Sequence, residues 1–161
     1  MDTPLASHPA PDLHIKRPCL LVADLERSLQ LYRDILGFRL DYVGEASAQS
    51  YLYQVFQLPA AAQLRFAALT SSQEERALAL TEVKGIELPS PSPPFQSATV
   101  IQVAAVTPLL PTIDKLGLPI LPPSHFTAPP NLSFTEQAIH DFDGHLLVLY
   151  DVVATHGLTD H

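Results

Sequence analysis

The side chains able to do acid–base or metal chemistry in this chain are few and scattered. Its histidines are His8, His14, His125, His140, His145, His156 and His161, and their spacings make no His-x-x-x-His or similar metal-binding signature. His140 and His145 bracket a turn at residues 141–144, so the two residues are expected to lie close in space. The pair could be structural, hold a metal, or exchange protons. Glu136 and His140 share strand parity, which allows either a carboxylate–imidazole pair facing a cavity or an exposed strand face. Cys19, the only cysteine, is either a small hydrophobe or a nucleophile. Tyr51, Tyr53, Phe56 and Phe66 read equally as core and as pocket wall. Tyr150 could pack or touch a ligand. No glycine-rich phosphate loop, Ser-His-Asp order or basic patch is visible.

Composition narrows the classes of function. The chain has 161 residues, of which 47% are hydrophobic and 16% charged, enough to bury a real core. A net charge of -8 argues against a nucleic-acid partner. One cysteine cannot form an intrachain disulfide, and a cytoplasmic location is the default expectation. Residues 1–14 carry no basic segment followed by a long apolar one, so no secretory signal is expected. No uninterrupted apolar run approaches a membrane span.

The elements that must position these residues centre on residues 22–38, VADLERSLQLYRDILGF. An apolar run, expected as a strand over 15–22, leads into Asp24, a helix cap, and Glu26, a first-turn acid. Leu25, Leu29, Tyr32 and Leu36 form one apolar stripe, which predicts a helix over 25–36. Gly37 supplies a left-handed exit. Strands are expected over 38–44, 64–69 and 76–83, with an ambiguous stretch at 46–58.

Residues 89–94, PSPSPP, are a stiff connector. Beyond it the pattern restarts. A strand is expected at 99–103, with Thr107 as cap and Pro108 at the first helical position. Leu109, Leu110, Ile113 and Leu116 face a core, and Gly117 is the stop. Pro111 should keep this helix short and irregular. Residues 119–130 read as a proline-rich loop, 131–140 and 145–152 as strands. Val22 to Gly37 is 15 positions and Val103 to Gly117 is 14, which reads as an internal duplication of a β-α-β-β-β module. The implied organisation is a loose arm at 1–14, modules at 15–88 and 97–153, a linker at 89–96 and a tail at 154–161.

With these residues in view, the chain resembles the vicinal oxygen chelate superfamily of glyoxalases, bleomycin-resistance proteins and extradiol dioxygenases. The resemblance rests on residues 22–38 and on DFDGHLLVLYD, residues 141–151, which is similar to the family's Asp-Pro-Asp-Gly-Asn turn with Phe142 and His145 substituted. It implies an α+β fold of two tandem βαβββ modules forming an open half-barrel sheet around a cavity. It also implies a homodimer, since family members commonly complete their clefts between chains. The family's metal ligands map onto Arg17, Ala79, Ala98 and Val148, none able to bind a divalent ion: a guanidinium has no lone pair to give, and the other three are apolar.

The expected function is therefore a metal-free, cofactor-free binder of a small organic molecule, with Arg17, Cys19, Tyr53, Phe66, Gln102, Glu136, His140 and Tyr150 as candidate ligand contacts. The alternative is an enzyme of the same superfamily, acting through Arg17, His140 and Glu136 or with displaced metal ligands. By its ligand position Arg17 is expected to point inward, paired with Glu136, with Tyr150 or with an acidic ligand.

Overall fold

The computed structural model describes residues 7–155, so parts of the expected arm and tail, with His156 and His161, lie outside the described residues. The chain folds as α+β, in two four-stranded mixed sheets built by the same chain path. In the first, β1 (Cys19–Val22) leads to α1 (Leu25–Tyr32), β2 (Arg39–Glu45), a single helical turn α2 (Leu52–Val55), β3 (Gln63–Thr70) and β4 (Leu78–Lys84). The sheet order is β1-β4-β3-β2, with β1 parallel to β4 and the rest antiparallel.

The second module repeats this. β5 (Thr99–Gln102) leads through a 3-10 turn at Thr107–Leu109 to α3 (Leu110–Lys115), then β6 (Ser124–Ala128), β7 (Leu132–His140) and β8 (Leu146–Ala154). Its order, β5-β8-β7-β6, is the same arrangement. The expected fold class of two tandem βαβββ modules is borne out.

Strand parity sorts the faces. Leu20, Val22, Ala67, Leu69 and Leu80 pack against Leu25, Leu29 and Tyr32 of α1, in a core that continues to Ile113, Ile139, Leu147 and Leu149 of the second module. Cys19, Leu21, Leu64, Phe66 and Val83 take the opposite, inner face of the first sheet. There Leu21, Leu64 and Val83 meet Leu52, Tyr53, Leu58, Ile86 and Leu88. No helix among the described residues is long and apolar enough to cross a membrane.

Four local expectations are corrected. The first strand is shorter than 15–22: Ile15 is exposed, and pairing begins where the Pro18 carbonyl accepts from the Ala79 N–H, at 3.0 Å. The first helix ends at Tyr32; Asp34 and Leu36 then donate to carbonyls five residues back, a widened turn that brings the chain to Gly37 (φ +92°). The proline-rich stretch 119–130 contains β6, because its prolines flank residues 124–128 rather than interrupt them.

The fourth correction concerns the helix caps. Thr107 does not cap the second helical segment; the Val106 N–H donates instead to the Asp151 carboxylate in β8, at 2.8 Å. The first module does the same: Asp24 caps locally by accepting from Arg27 N–H, and Glu82 in β4 accepts from Leu25 N–H at 2.7 Å. Leu25 follows Val22 by three positions as Val106 follows Val103. The two carboxylates are therefore equivalent, and each binds its module's last strand to its helix start. Asp151→Ala should cost about 1–2 kcal/mol, the range for a lost helix cap. Urea unfolding of wild type and variant measures it; equal midpoints would show that solvent replaces the carboxylate.

Candidate functional site

The turn at residues 141–144, between β7 and β8, gathers more long-range polar contacts than any other loop described above. Asp141, buried, shapes it: its Oδ1 accepts from the backbone N–H of Asp143 (2.9 Å) and His145 (2.8 Å). Its Oδ2 accepts from the Tyr32 hydroxyl at 2.7 Å, across 109 residues of chain. Three donors to one carboxylate make its burial tolerable. Asp143 Oδ1 accepts from the Ala23 N–H (2.9 Å) and from the Arg27 guanidinium (3.3 Å). His145 donates its Nε2–H to the Leu21 carbonyl at 2.6 Å. Phe142, which stands where the resembling family has proline, lies under the Arg27 guanidinium, 5.1 Å from ring centre to Cζ. Gly144 closes the turn at φ +85°, and a Cβ there would come within 2.9 Å of Pro91 in the linker.

Two groups of this latch have displaced acidities. Burial first, then the neighbouring Asp141 carboxylate, pushes the Tyr32 phenol well above its ordinary value, so it remains a donor. Burial also raises the Asp143 carboxyl, against the Ala23 N–H and Arg27, which act in the opposite direction.

The structure places the candidate contacts in several neighbourhoods. Tyr150 donates to the Gln102 side chain at 3.1 Å, and Glu136 is Tyr150's cross-strand partner, so these three share the inner face of the second sheet. His140 continues that face, with Nδ1 3.3 Å from the Gly144 carbonyl and its ring 4.9 Å from Phe95. Cys19 and Phe66 share the inner face of the first sheet. Phe66 lies against Tyr42, and the Tyr53 hydroxyl donates to the Ala62 carbonyl at 2.6 Å. Arg17 has a backbone partner. Its Nε donates to the Arg76 carbonyl at 2.9 Å, so it is held by backbone rather than by Glu136 or Tyr150. His140 and His145, though adjacent in the turn, address different partners. His145 and Asp143 were not among the expected contacts, yet both line a cleft of about 230 Å³ with Cys19, Leu21, Phe56, Leu88, Pro89 and Pro91.

The equivalent carboxylates Glu82 and Asp151 align the two modules independently of any resemblance. Three residues before them stand Ala79 and Val148, two of the four positions that the resemblance assigns to metal ligands. Ala79 and Val148 pair with Cys19 and Val100 in the adjoining strands, none of them a carboxylate or imidazole. Among the described residues, no group of three or more histidine, cysteine, aspartate or glutamate side chains is arranged to hold a metal ion.

Comparison with known proteins converges on one family. The model of the Glyoxalase/Bleomycin resistance protein/Dioxygenase superfamily matches residues 13–149. Among solved structures, a glyoxalase family protein from Bacillus cereus superposes with a TM-score of 0.68 at 11% identity, covering 93% of this chain and 99% of that one. A glyoxylase/bleomycin resistance protein/dioxygenase domain from Frankia sp. EAN1pec gives 0.60 at 18% identity, covering 92% and 98%. The fosfomycin resistance protein FosX from Listeria monocytogenes, complexed with Mn(II) and sulfate, gives 0.56 at 15% identity, covering 86% and 91%. No curated protein sequence matches the chain.

Tyr32→Phe should lower the unfolding free energy by about 1.5–3 kcal/mol, the range for hydrogen bonds to charged groups. The phenol's acidity is weakened on folding, so its contribution is fully present below its ordinary pKa and is lost as pH rises through the raised folded value. Unfolding free energies of wild type and Tyr32→Phe should differ at pH 8 and converge in strong alkali. A constant gap across that range would remove the phenol from the alkaline limb.

Proposed function

The chain belongs to the glyoxalase/bleomycin resistance protein/dioxygenase superfamily, and from that premise we propose that it is a metal-independent member that binds a small organic molecule against the inner faces of its sheets. The observation that carries this reading is the residue set at the positions where the family resemblance expects ligands: Arg17, Ala79, Ala98 and Val148. None offers a lone pair to a dication, and an unpaired dication beside apolar side chains would pay a prohibitive desolvation cost. The same faces carry what an organic ligand needs, apolar wall with a few polar groups: Cys19 and Phe66 on one sheet, Gln102, Glu136 and Tyr150 on the other. Arg17, Tyr53 and His140 stand at their margins. An exposed thiol at Cys19 suits a reducing cytoplasm. The enzymatic alternative through Arg17, His140 and Glu136 draws less support, because the Arg17 guanidinium is engaged by the Arg76 carbonyl of its own module, whereas His140 and Glu136 stand on β7 of the other.

We also propose that the chain acts as a homodimer. Val100 and Phe126 are 63% and 44% exposed on the inner face of the second sheet, where Phe126 stacks on Phe134 at 4.8 Å. Apolar sheet surface of this kind calls for a cover, and a second copy would provide one.

Elemental analysis of the purified protein should find zinc, iron, manganese and nickel far below one equivalent. About one equivalent, lost on His140→Ala or His145→Ala, would show that the ligands have moved. In a thermal-shift screen, a ligand at 100 times its dissociation constant should stabilise by about 2.7 kcal/mol; a broad screen with no shift would overturn the binding reading. Light scattering should give twice 17.6 kDa at micromolar concentration, and a clean monomer would overturn the dimer.

A further inference from the structure

Most of the two inner faces is open, but one part is flanked by the linker and by the turn at residues 141–144. It is the half-open cleft of about 230 Å³ beside β1, lined by Leu21, Phe56, Leu88, Pro89 and Pro91 together with Cys19, Asp143 and His145. Its walls come from both modules and the linker. Asp143 is the unusual member. Its side chain is only 7% exposed, and Oδ1 is used by Ala23 and Arg27, but Oδ2 is buried without a hydrogen-bond partner. A buried carboxylate oxygen left unpaired is expensive. The Arg27 guanidinium, drawn over the Phe142 ring, reaches only Oδ1, and its own Nε is also without a partner. His145 adds a second acceptor, because with Nε2–H committed to the Leu21 carbonyl the neutral ring's Nδ1 carries a lone pair.

We propose that this cleft binds a small primary amine with an apolar body, its ammonium completing the Asp143 carboxylate and its hydrocarbon part lying among Leu21, Phe56, Leu88 and Pro91. The proposal deepens the small-molecule reading above and rests on it. An ammonium brings three donors and no acceptor, which fits the acceptors that Asp143 and His145 offer. Size selects the body. Pockets for drug-sized ligands measure about 300–1,000 Å³, so a smaller cleft takes one ring with a short arm. The net charge of -8 favours approach of a cation over an anion. Cys19, the single thiol of the chain, borders the cleft and is exposed, so it reports occupancy directly.

The probe is 2-phenylethylamine, with 2-phenylethanol and 3-phenylpropionate as neutral and anionic controls of similar shape. Titration followed by heteronuclear NMR should show the amine binding at least tenfold more tightly than either control. At saturation it should slow alkylation of Cys19 by iodoacetamide at least tenfold. Asp143→Asn, which keeps an oxygen for the Ala23 N–H, should abolish the preference for the amine. Leu88→Trp, which fills the cleft and leaves Asp143 untouched, should abolish binding of all three. If Asp143→Asn does not fold, the wild-type comparison of amine with alcohol and the Cys19 protection still decide. Equal binding of the three probes, or amine binding that leaves Cys19 alkylation unchanged, overturns the inference, as would solution evidence that Arg27 has closed onto both carboxylate oxygens. Those results leave the small-molecule reading standing, whereas that reading fails only if the broad thermal-shift screen also finds no ligand.

Discussion

The hydrogen bond from Tyr32 to Asp141 is the contact on which the two-module arrangement depends. It is short and buried, and it joins the helix of the first module to the last hairpin of the second. Asp141 serves two ends at once, shaping its own turn through one oxygen and holding the other module through the second. A carboxylate can be buried there only because every donor is in place. Asp143 and His145 extend the grip to the backbone of Leu21, in β1, and of Ala23, on the short segment that joins β1 to α1. The turn is therefore an intermodule latch as much as a reversal of chain direction, and the cleft beside it exists because the latch brings linker, turn and first strand together.

Duplication explains much of the rest. Each module presents a carboxylate from its last strand to the start of its helix, and each leaves that helix region through a glycine with positive φ. The copies then diverge. The first keeps a full α-helix and adds α2 over its inner face; the second has a 3-10 turn and a six-residue helix, as Pro108 and Pro111 require, and leaves its inner face more open. One inner face is thus partly filled by the chain itself, while the other shows exposed Val100 and Phe126.

The parts legible in the sequence were those written in local pattern. The stripe of Leu25, Leu29 and Tyr32 marked the face of α1 that is buried, the spacing from Val22 to Gly37 and from Val103 to Gly117 revealed the repeat, and Asp24 capped its helix as its type suggests. What escaped was long-range. Glu82 and Asp151 reach helix starts 57 and 45 residues away, and no local signal marks a strand carboxylate as a cap. The strand at residues 124–128 was hidden by prolines on both sides of it. The partner of Arg17 is a backbone carbonyl, which every residue possesses, so residue type could not point to it. Asp143 and His145 were visible as turn residues, but their place beside Cys19 follows only from the docking of the two modules.

The latch also bears on the order in which the molecule can be completed during synthesis. Asp141 is made 109 residues after Tyr32, when every strand of the first sheet has already been produced. Until the final hairpin emerges, the Tyr32 hydroxyl, the Ala23 N–H and the Leu21 carbonyl lack their eventual partners, and the apolar surface shared with Ile139, Leu147 and Leu149 lacks its other half. Nascent first modules on one polysome therefore expose sticky, unsatisfied surface to one another from the completion of β4 until β8 is made. Each of them carries the same sheet that a late-arriving second module is shaped to meet, so pairing between neighbouring nascent chains competes with pairing within one chain.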